Sequence, residues 1–302
     1  MSANNPQVPW TDEQWARVNQ AIQQEAQRAR VAANFLPLFG PLPGNADFVR
    51  ADGISYPGPA DGPQRMAIDD TNTIKLPTLQ VKVYVRGAQM ADPEMTSVLA
   101  LFRRAANVLA RLEDAVVFCG QADVGRGPDM ADLSGLPRIW EILGGQAGGG
   151  LLGGAGGRQA NVRATQADLG EALVASVSDS IGRLEHAGHF GPFAVVLDQE
   201  LFTGVQTPNR NSLVLPQDRI IPFLGGGSLL RSSTLPTGSG VVVALGGAPV
   251  ELVVATDVSL NFLQVTTDPM FVFRVYEKMV LRIKESTAIA ALSWDRLPDA
   301  KK

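Results

Sequence analysis

Cysteine is almost missing from this chain: Cys119 stands alone among 302 residues. A single thiol excludes an internal disulfide and fits a reducing compartment. Histidine is nearly as scarce. His186 and His189 are the only two, too few to close a zinc site without several other ligands. There is no excess of positive charge either. The formal net charge is −4, which argues against general binding to nucleic acid or anionic membrane. No apolar run reaches the ~18–20 residues that cross a bilayer. The opening MSANNPQVPW lacks the basic region and apolar core of a secretory signal. These absences together predict a cytoplasmic protein that works without membrane or nucleic acid.

What is present is ordinary in amount and uneven in placement. A hydrophobic content of 45% with 19% charged residues describes a globular chain with enough core for one large or two modest domains. Thr11-Asp12-Glu13-Gln14 reads as a capping box, followed by Trp15, Val18, Ile22, Ala26 and Ala29 at helical spacing. Pro37 and Pro41 push residues 35–39 toward extended geometry. Residues 44–70 are polar and turn-rich, a long loop for a compact domain. Alternation then places Leu79, Val81, Val83 and Val85 on one face of a strand. Asp92-Pro93-Glu94 is a good helix start, and Val98, Leu101, Phe102, Ala105, Val108, Leu109 and Leu112 give that helix a broad apolar face, with Gly120 to end it.

The second half is glycine-rich, then strand-rich. Residues 144–157 (GGQAGGGLLGGAGG) lack the Lys-Ser/Thr of a phosphate-cradling loop and follow no clear strand, so they read as an exposed, flexible loop. Thr165 to Asp168 starts a helix carrying Leu169, Leu173, Val177, Ile181 and Leu184 on one face. Residues 193–197 form a buried strand, 207–211 a polar turn, and 240–247 a strand and turn. Residues 251–263 and 271–290 are strand-rich. Helices and strands are segregated, so the fold class is α+β.

Little here asks for catalysis. His186, His189 and Cys119 make the best constellation, and it is incomplete. His186 sits in a last helical turn, His189 caps a turn, and Cys119 lies in an apolar run as a small hydrophobe. There is no Gly-x-Ser-x-Gly elbow. Asp257 and Glu113-Asp114 read as isolated acids, the latter pairing with Arg103, Arg104 or Arg111 to anchor a helix end. The expectation is no enzyme, no metal and no cofactor.

Four segments in order point further. They are residues 10–41, 107–120 (NVLARLEDAVVFCG), 184–197 (LEHAGHFGPFAVVL) and 273–290 (FRVYEKMVLRIKESTAIA). Each resembles a stretch of the encapsulins, linocin-like bacterial shell proteins that share the tailed-phage major capsid protein fold. The resemblance implies a peripheral domain, an extended loop and an apical domain. It assigns residues 1–48 to the N-terminal helix and start of the peripheral domain, 49–77 to the extended loop, and 78–135 to the peripheral domain with its spine helix. Residues 136–251 fall to the apical domain with an insertion at 144–157, 252–271 to returning peripheral strands, and 272–302 to the apical C-terminal strands and tail.

The resemblance also implies a function. Many copies assemble into an icosahedral nanocompartment around a cargo enzyme bearing a C-terminal targeting peptide, such as a dye-decolourising peroxidase or a ferritin-like iron-storage protein. The peptide would dock at Ala33, Phe35, Leu36, Pro37, Leu38 and Phe39 with Asp257, Val258 and Leu260. Where many members carry a basic and an acidic residue, this chain has Ala33 and Pro37. That implies a more hydrophobic, less charged peptide, or the loss of peptide-based loading. Thr207, Pro208, Asn209, Arg210 and Asn211, after the 195–202 segment, would ring the five-fold pore, where copies of Arg210 favour anions. The rivals are a phage or prophage major capsid protein of the same fold, and a soluble hydrolase using His189 with a Ser or Cys nucleophile.

Overall fold

Thr11 opens the first helix with both halves of a capping box: its hydroxyl accepts from the Gln14 amide at 3.3 Å, and the Gln14 side chain accepts from the Thr11 amide at 2.9 Å. That fixes the register of α1 (Asp12–Ala29), which buries Trp15, Val18, Ala21, Ile22 and Ala26. The architecture comes from a computed structural model that describes residues 8–58, 62–124, 133, 138–208 and 214–298. After α1 come β1 (Leu38–Phe39), β2 (Phe48–Arg50), β3 (Gly53–Ser55), β4 (Ala67–Asp69), β5 (Thr73–Lys75) and β6 (Pro77–Arg86). Next are α2 (Gly87–Met90), α3 (Thr96–Cys119), β7 (Trp140–Gly144), α4 (Gly150–Gly154), β8 (Gln159–Ala164) and α5 (Leu169–His186). The chain closes with β9 (Phe193–Leu197), α6 (Gln199–Gln206), α7 (Pro216–Ile220), β10 (Leu229–Arg231), β11 (Ser239–Ala244), β12 (Val250–Val265), β13 (Met270–Ile283) and β14 (Ile289–Arg296).

Two five-stranded sheets organise these elements, in the orders β1-β12-β13-β6-β7 and β10-β9-β11-β14-β8. The long β12–β13 hairpin and β6 form the centre of the first sheet, with α1 and α3 packed against it. The predicted inward face of β6 is buried at Leu79, Val81, Val83 and Val85. Phe273 on β13 is the hub of an aromatic cluster. Trp10 stacks on it at 5.0 Å, and Phe102 and Phe262 meet it edge-on at 5.4 Å. In the second sheet β9 is buried along its whole length, as its unbroken apolar run predicts, and α5 packs on the sheet against β8, β11 and β14 with Leu169, Leu173, Val177, Ile181 and Leu184 buried.

The long polar segment is an arm. β2 pairs with β5 and β3 with β4, making two short antiparallel ladders in line. Phe48, Tyr56, Met66 and Ile68 stand exposed along it.

Several local expectations change. Asp92 does not cap the long helix directly: its carboxylate accepts from the Glu94 and Thr96 amides, Met95 turns through φ 54°, and α3 begins at Thr96. Likewise α5 begins at Leu169, after a turn in which the Thr165 hydroxyl bonds the Asp168 carboxylate. The glycine-rich stretch does follow a strand, β7, and its second half is no loose loop. Leu151 on α4 is fully buried against α3. At Gly120 (φ 90°) an added Cβ would sit 1.7 Å from the Gly148 carbonyl oxygen, so backbone packs directly on backbone. Because β7 and β13 belong to the first sheet, the boundaries expected at 136 and 272 cut through one packed unit.

Truncating the hub should cost the most. Phe273→Ala is expected to destabilise the protein by about 3–5 kcal/mol, read as a lower denaturation midpoint in urea. A change under about 1 kcal/mol would mean that the cluster repacks around the gap.

Candidate functional site

Arg30 ends α1 and turns its side chain inward, where three acids from three other elements meet it. Its Nε lies 2.6 Å from Glu113 on α3, and its Nη2 lies 2.7 Å from Glu277 on β13 and 2.9 Å from Asp257 on β12. Glu113 and Glu277 are buried, whereas Asp257 is 59% exposed. Next to Glu113, the Asp114 carboxylate accepts from the Val31 and Ala32 amides at 2.8–3.0 Å and pins the chain leaving α1 to α3. The two acids were expected to pair with Arg103, Arg104 or Arg111. Glu113 instead takes Arg30, and Asp114 takes the amides of Val31 and Ala32, which are free at the start of the short 3-10 turn Ala32–Asn34 that follows α1.

This charge cluster floors a groove of about 300 Å³. Ala33, Leu38, Phe39, Gly40, Pro41, Leu252, Val254 and Met279 supply its other surfaces. β1 forms one wall as an edge strand, paired in parallel with β12 through Leu38↔Leu252 and Phe39↔Val253. Of the residues singled out from sequence, Ala33, Leu38, Phe39 and Asp257 line the groove. The others support it. Leu36, Val258 and Leu260 are buried in the core, Phe35 stacks on Phe118 at 6.4 Å, and the Pro37 carbonyl accepts from the Leu252 amide at 2.8 Å. Sequence reasoning missed Arg30, Glu113, Glu277 and Met279. One signal was readable: Glu277 breaks an inward alternation of Val275 and Met279 on β13.

Asp257 and Glu113 are therefore not isolated acids. Three carboxylates facing one guanidinium leave a surplus of negative charge. Burial pushes the Glu277 carboxyl well above the usual range, reinforced by repulsion from Glu113. Burial also raises Glu113, with Arg30 opposing. Burial by itself would weaken the Arg30 charge, but the surrounding carboxylates outweigh it and hold its pKa above normal. Asp114 is pushed up to about 8, chiefly by burial and then by Glu113, against the pull of the two amides.

The remaining predicted residues lie elsewhere. Thr207 ends α6, its hydroxyl donating to the Thr203 carbonyl at 2.8 Å. Pro208 follows, and Asn209, Arg210 and Asn211 lie outside the described residues. His189 is buried with Nε2 2.7 Å from the Thr287 hydroxyl, His186 is exposed at the end of α5, and burial pushes the Cys119 thiol up to about 12. Among the described residues no three His, Cys, Asp or Glu side chains gather to hold a metal ion, and no helix is long and apolar enough to cross a membrane.

A family model described as encapsulating protein for peroxidase matches residues 3–127 and 142–280. The type 1 encapsulin shell protein EncA of Myxococcus xanthus (strain DK1622) is 30% identical over 297 residues, covering 94% of this chain and 93% of that one. The chain belongs to the encapsulin shell-protein family. Solved structures extend the likeness of the encapsulin fold. The virus-like particle of Pyrococcus furiosus matches with a TM-score of 0.68 at 15% identity, over 94% of this chain and 100% of the other. The holo-SrpI encapsulin complex of Synechococcus elongatus PCC 7942 matches at 0.53 and 12%, over 97% and 92%. The capsid of Myoviridae phage XM1 matches at 0.52 and 12%, over 85% and 89%. The phage capsid thus shares the fold, and the family makes this chain an encapsulin shell protein.

The Asp114 environment carries a pH signature. An acid whose pKa is higher folded than unfolded favours the fold at low pH and loses that contribution as pH rises through the folded value. For Asp114 the loss runs from 3.8 up through about 8. Asp114→Asn keeps an acceptor for the Val31 and Ala32 amides and removes the charge. Between about pH 6 and about pH 9 the thermal midpoint of the wild type should fall more steeply than that of the variant. Parallel curves would show that Asp114 is ionised throughout.

Proposed function

We propose that copies of this encapsulin close into an icosahedral shell and that the groove beside β1 docks an extended peptide from a cargo protein. The observation that carries this reading is the groove itself: an edge strand and apolar walls over a floor with more carboxylate than cation. An extended segment can lie along an edge strand and set alternate side chains into apolar pockets. The surplus charge favours a peptide that is mostly apolar and carries one Lys or Arg near Asp257, the exposed acid. This revises the expectation of a weakly charged groove, because the missing charges at Ala33 and Pro37 are matched by Arg30 and Glu277, which come from other elements. The family description, encapsulating protein for peroxidase, supports a peroxidase as cargo. A ferritin-like protein is the second choice.

In the shell, residues 49–77 act as the extended loop, reaching with their exposed apolar face over a neighbouring copy. The first sheet with α1 and α3 serves as the peripheral domain and the second sheet as the apical domain. The loop at 207–211 would line a five-fold pore whose Arg210 copies admit small anions more readily than cations. A cytoplasmic setting fits the lone cysteine.

Negative-stain microscopy of the void-volume fraction should show uniform hollow particles, and a monomeric or dimeric peak without particles would refute assembly. Co-expression of a fluorescent protein carrying candidate apolar-cationic tails tests the groove. Leu38→Asp should lower loading by about tenfold, equivalent to about 1.4 kcal/mol, and Asp257→Lys should discriminate against cationic tails. Unchanged loading in both variants would remove the groove from the reading. For the pore, Arg210→Glu should slow uptake of a small anionic thiol reagent relative to a cationic one, and equal rates would refute the assignment.

A further inference from the structure

The groove and the arm meet at one side chain. Arg282 on β13 is 3% exposed, and its guanidinium has three sets of contacts. Its Nε donates to Glu251 at 2.5 Å, joining it to β12. Its Nη1 donates to the Asp52 carboxylate at 2.6 Å and to the Arg50 carbonyl at 3.1 Å, which fastens it to the root of the arm. Its Cζ lies 4.4 Å from the Phe39 ring centroid, so it also supports β1. Glu251 is shared with Lys284 at 2.9 Å, and the Lys284 carbonyl accepts from the Ile54 amide of the arm at 3.0 Å.

The geometry points to Arg282 as a positioning residue that couples the groove wall to the angle of the arm. β1 has two residues. Leu38 lines the groove beside Phe39, and Phe39 rests on the guanidinium, so the strand's seating depends on where Arg282 is held. Only one fork of donors serves both Asp52 and the arm backbone. Guanidinium geometry is rigid and planar, so a shift of the arm root that drags Asp52 tilts the plane under Phe39. Occupancy of the groove would in turn bias the arm, because coupling between two sites is reciprocal. For a shell protein, arm angle is a determinant of how copies meet, so filling the shell and shaping it would be linked. The joint stands on its own contacts, whether or not the groove takes a cargo peptide.

Hydrogen–deuterium exchange on the assembled particle tests the joint without any ligand. Asp52→Asn, at a side chain 35% exposed, is expected to leave the subunit folded. It should speed exchange of the amides in residues 38–42 by about fivefold, the low end of measured couplings between sites. Phe39→Leu should reciprocate by speeding exchange in residues 48–55. In the double variant the effects should combine to less than their product, because both act through one side chain. The buried strand β9 of the second sheet serves as control and should not change. Acceleration confined to the mutated segment in each variant would overturn the proposal. So would an equal acceleration of β9, which would mean general loosening rather than a joint. If Asp52→Asn fails to assemble, the Phe39→Leu particle alone decides, since protection of the arm root either falls or it does not.

Discussion

Burying one cation against more acid than it can neutralise is the constraint around which this subunit is built. Arg30 joins the end of α1 to α3, β12 and β13, so the first helix is held where it packs by a charge cluster as well as by its apolar stripe. Such a cluster is a costly way to join elements. A hydrophobic substitute of equal volume is often as stable, and removing one member leaves an uncompensated charge. Its presence at the floor of a groove, rather than at an arbitrary contact, fits a site that must hold its shape while presenting charge to a visitor.

Long local patterns are the features that the fold reproduces most directly. The capping box at Thr11, the inward face of β6, the apolar stripe of α5 and the unbroken strand at 193–197 each follow from spacing that one segment contains. The charged floor was out of reach because Arg30, Glu113, Asp257 and Glu277 are distant in sequence and meet only through packing. Seen singly, Glu113 is an acid near the end of a helix, and its nearest basic neighbours in sequence are the wrong partners. The start of α3 differs from the sequence pattern for a related reason: Asp92 does accept from free amides, but Met95 adopts a left-handed turn and the helix begins only at Thr96.

The arm shows how a feature that looks poor in isolation can make sense in an assembly. Phe48, Tyr56, Met66 and Ile68 expose apolar surface on two thin ladders, and an isolated two-stranded ladder is marginal in water. Arg282 and the Lys284 carbonyl anchor its root, while farther out Tyr56 and Met66 share a cavity with the turn at residues 187–191. In the proposed shell a subunit built this way would gain stability from its neighbours, and its folding and association would be parts of one equilibrium.

The glycine-rich stretch carries a different lesson. Its composition suggests a spacer, the kind of sequence that tolerates change because nothing touches it. Yet the carbonyl of Gly148 lies where a side chain on Gly120 would have to be, and a Cβ on Gly150 would sit 2.6 Å from the Phe118 carbonyl. The repetition of glycine is here a record of contact: two stretches of main chain have approached until no side chain fits between them. Low complexity at this place marks a seam, and across it the end of α3 is keyed to the start of α4.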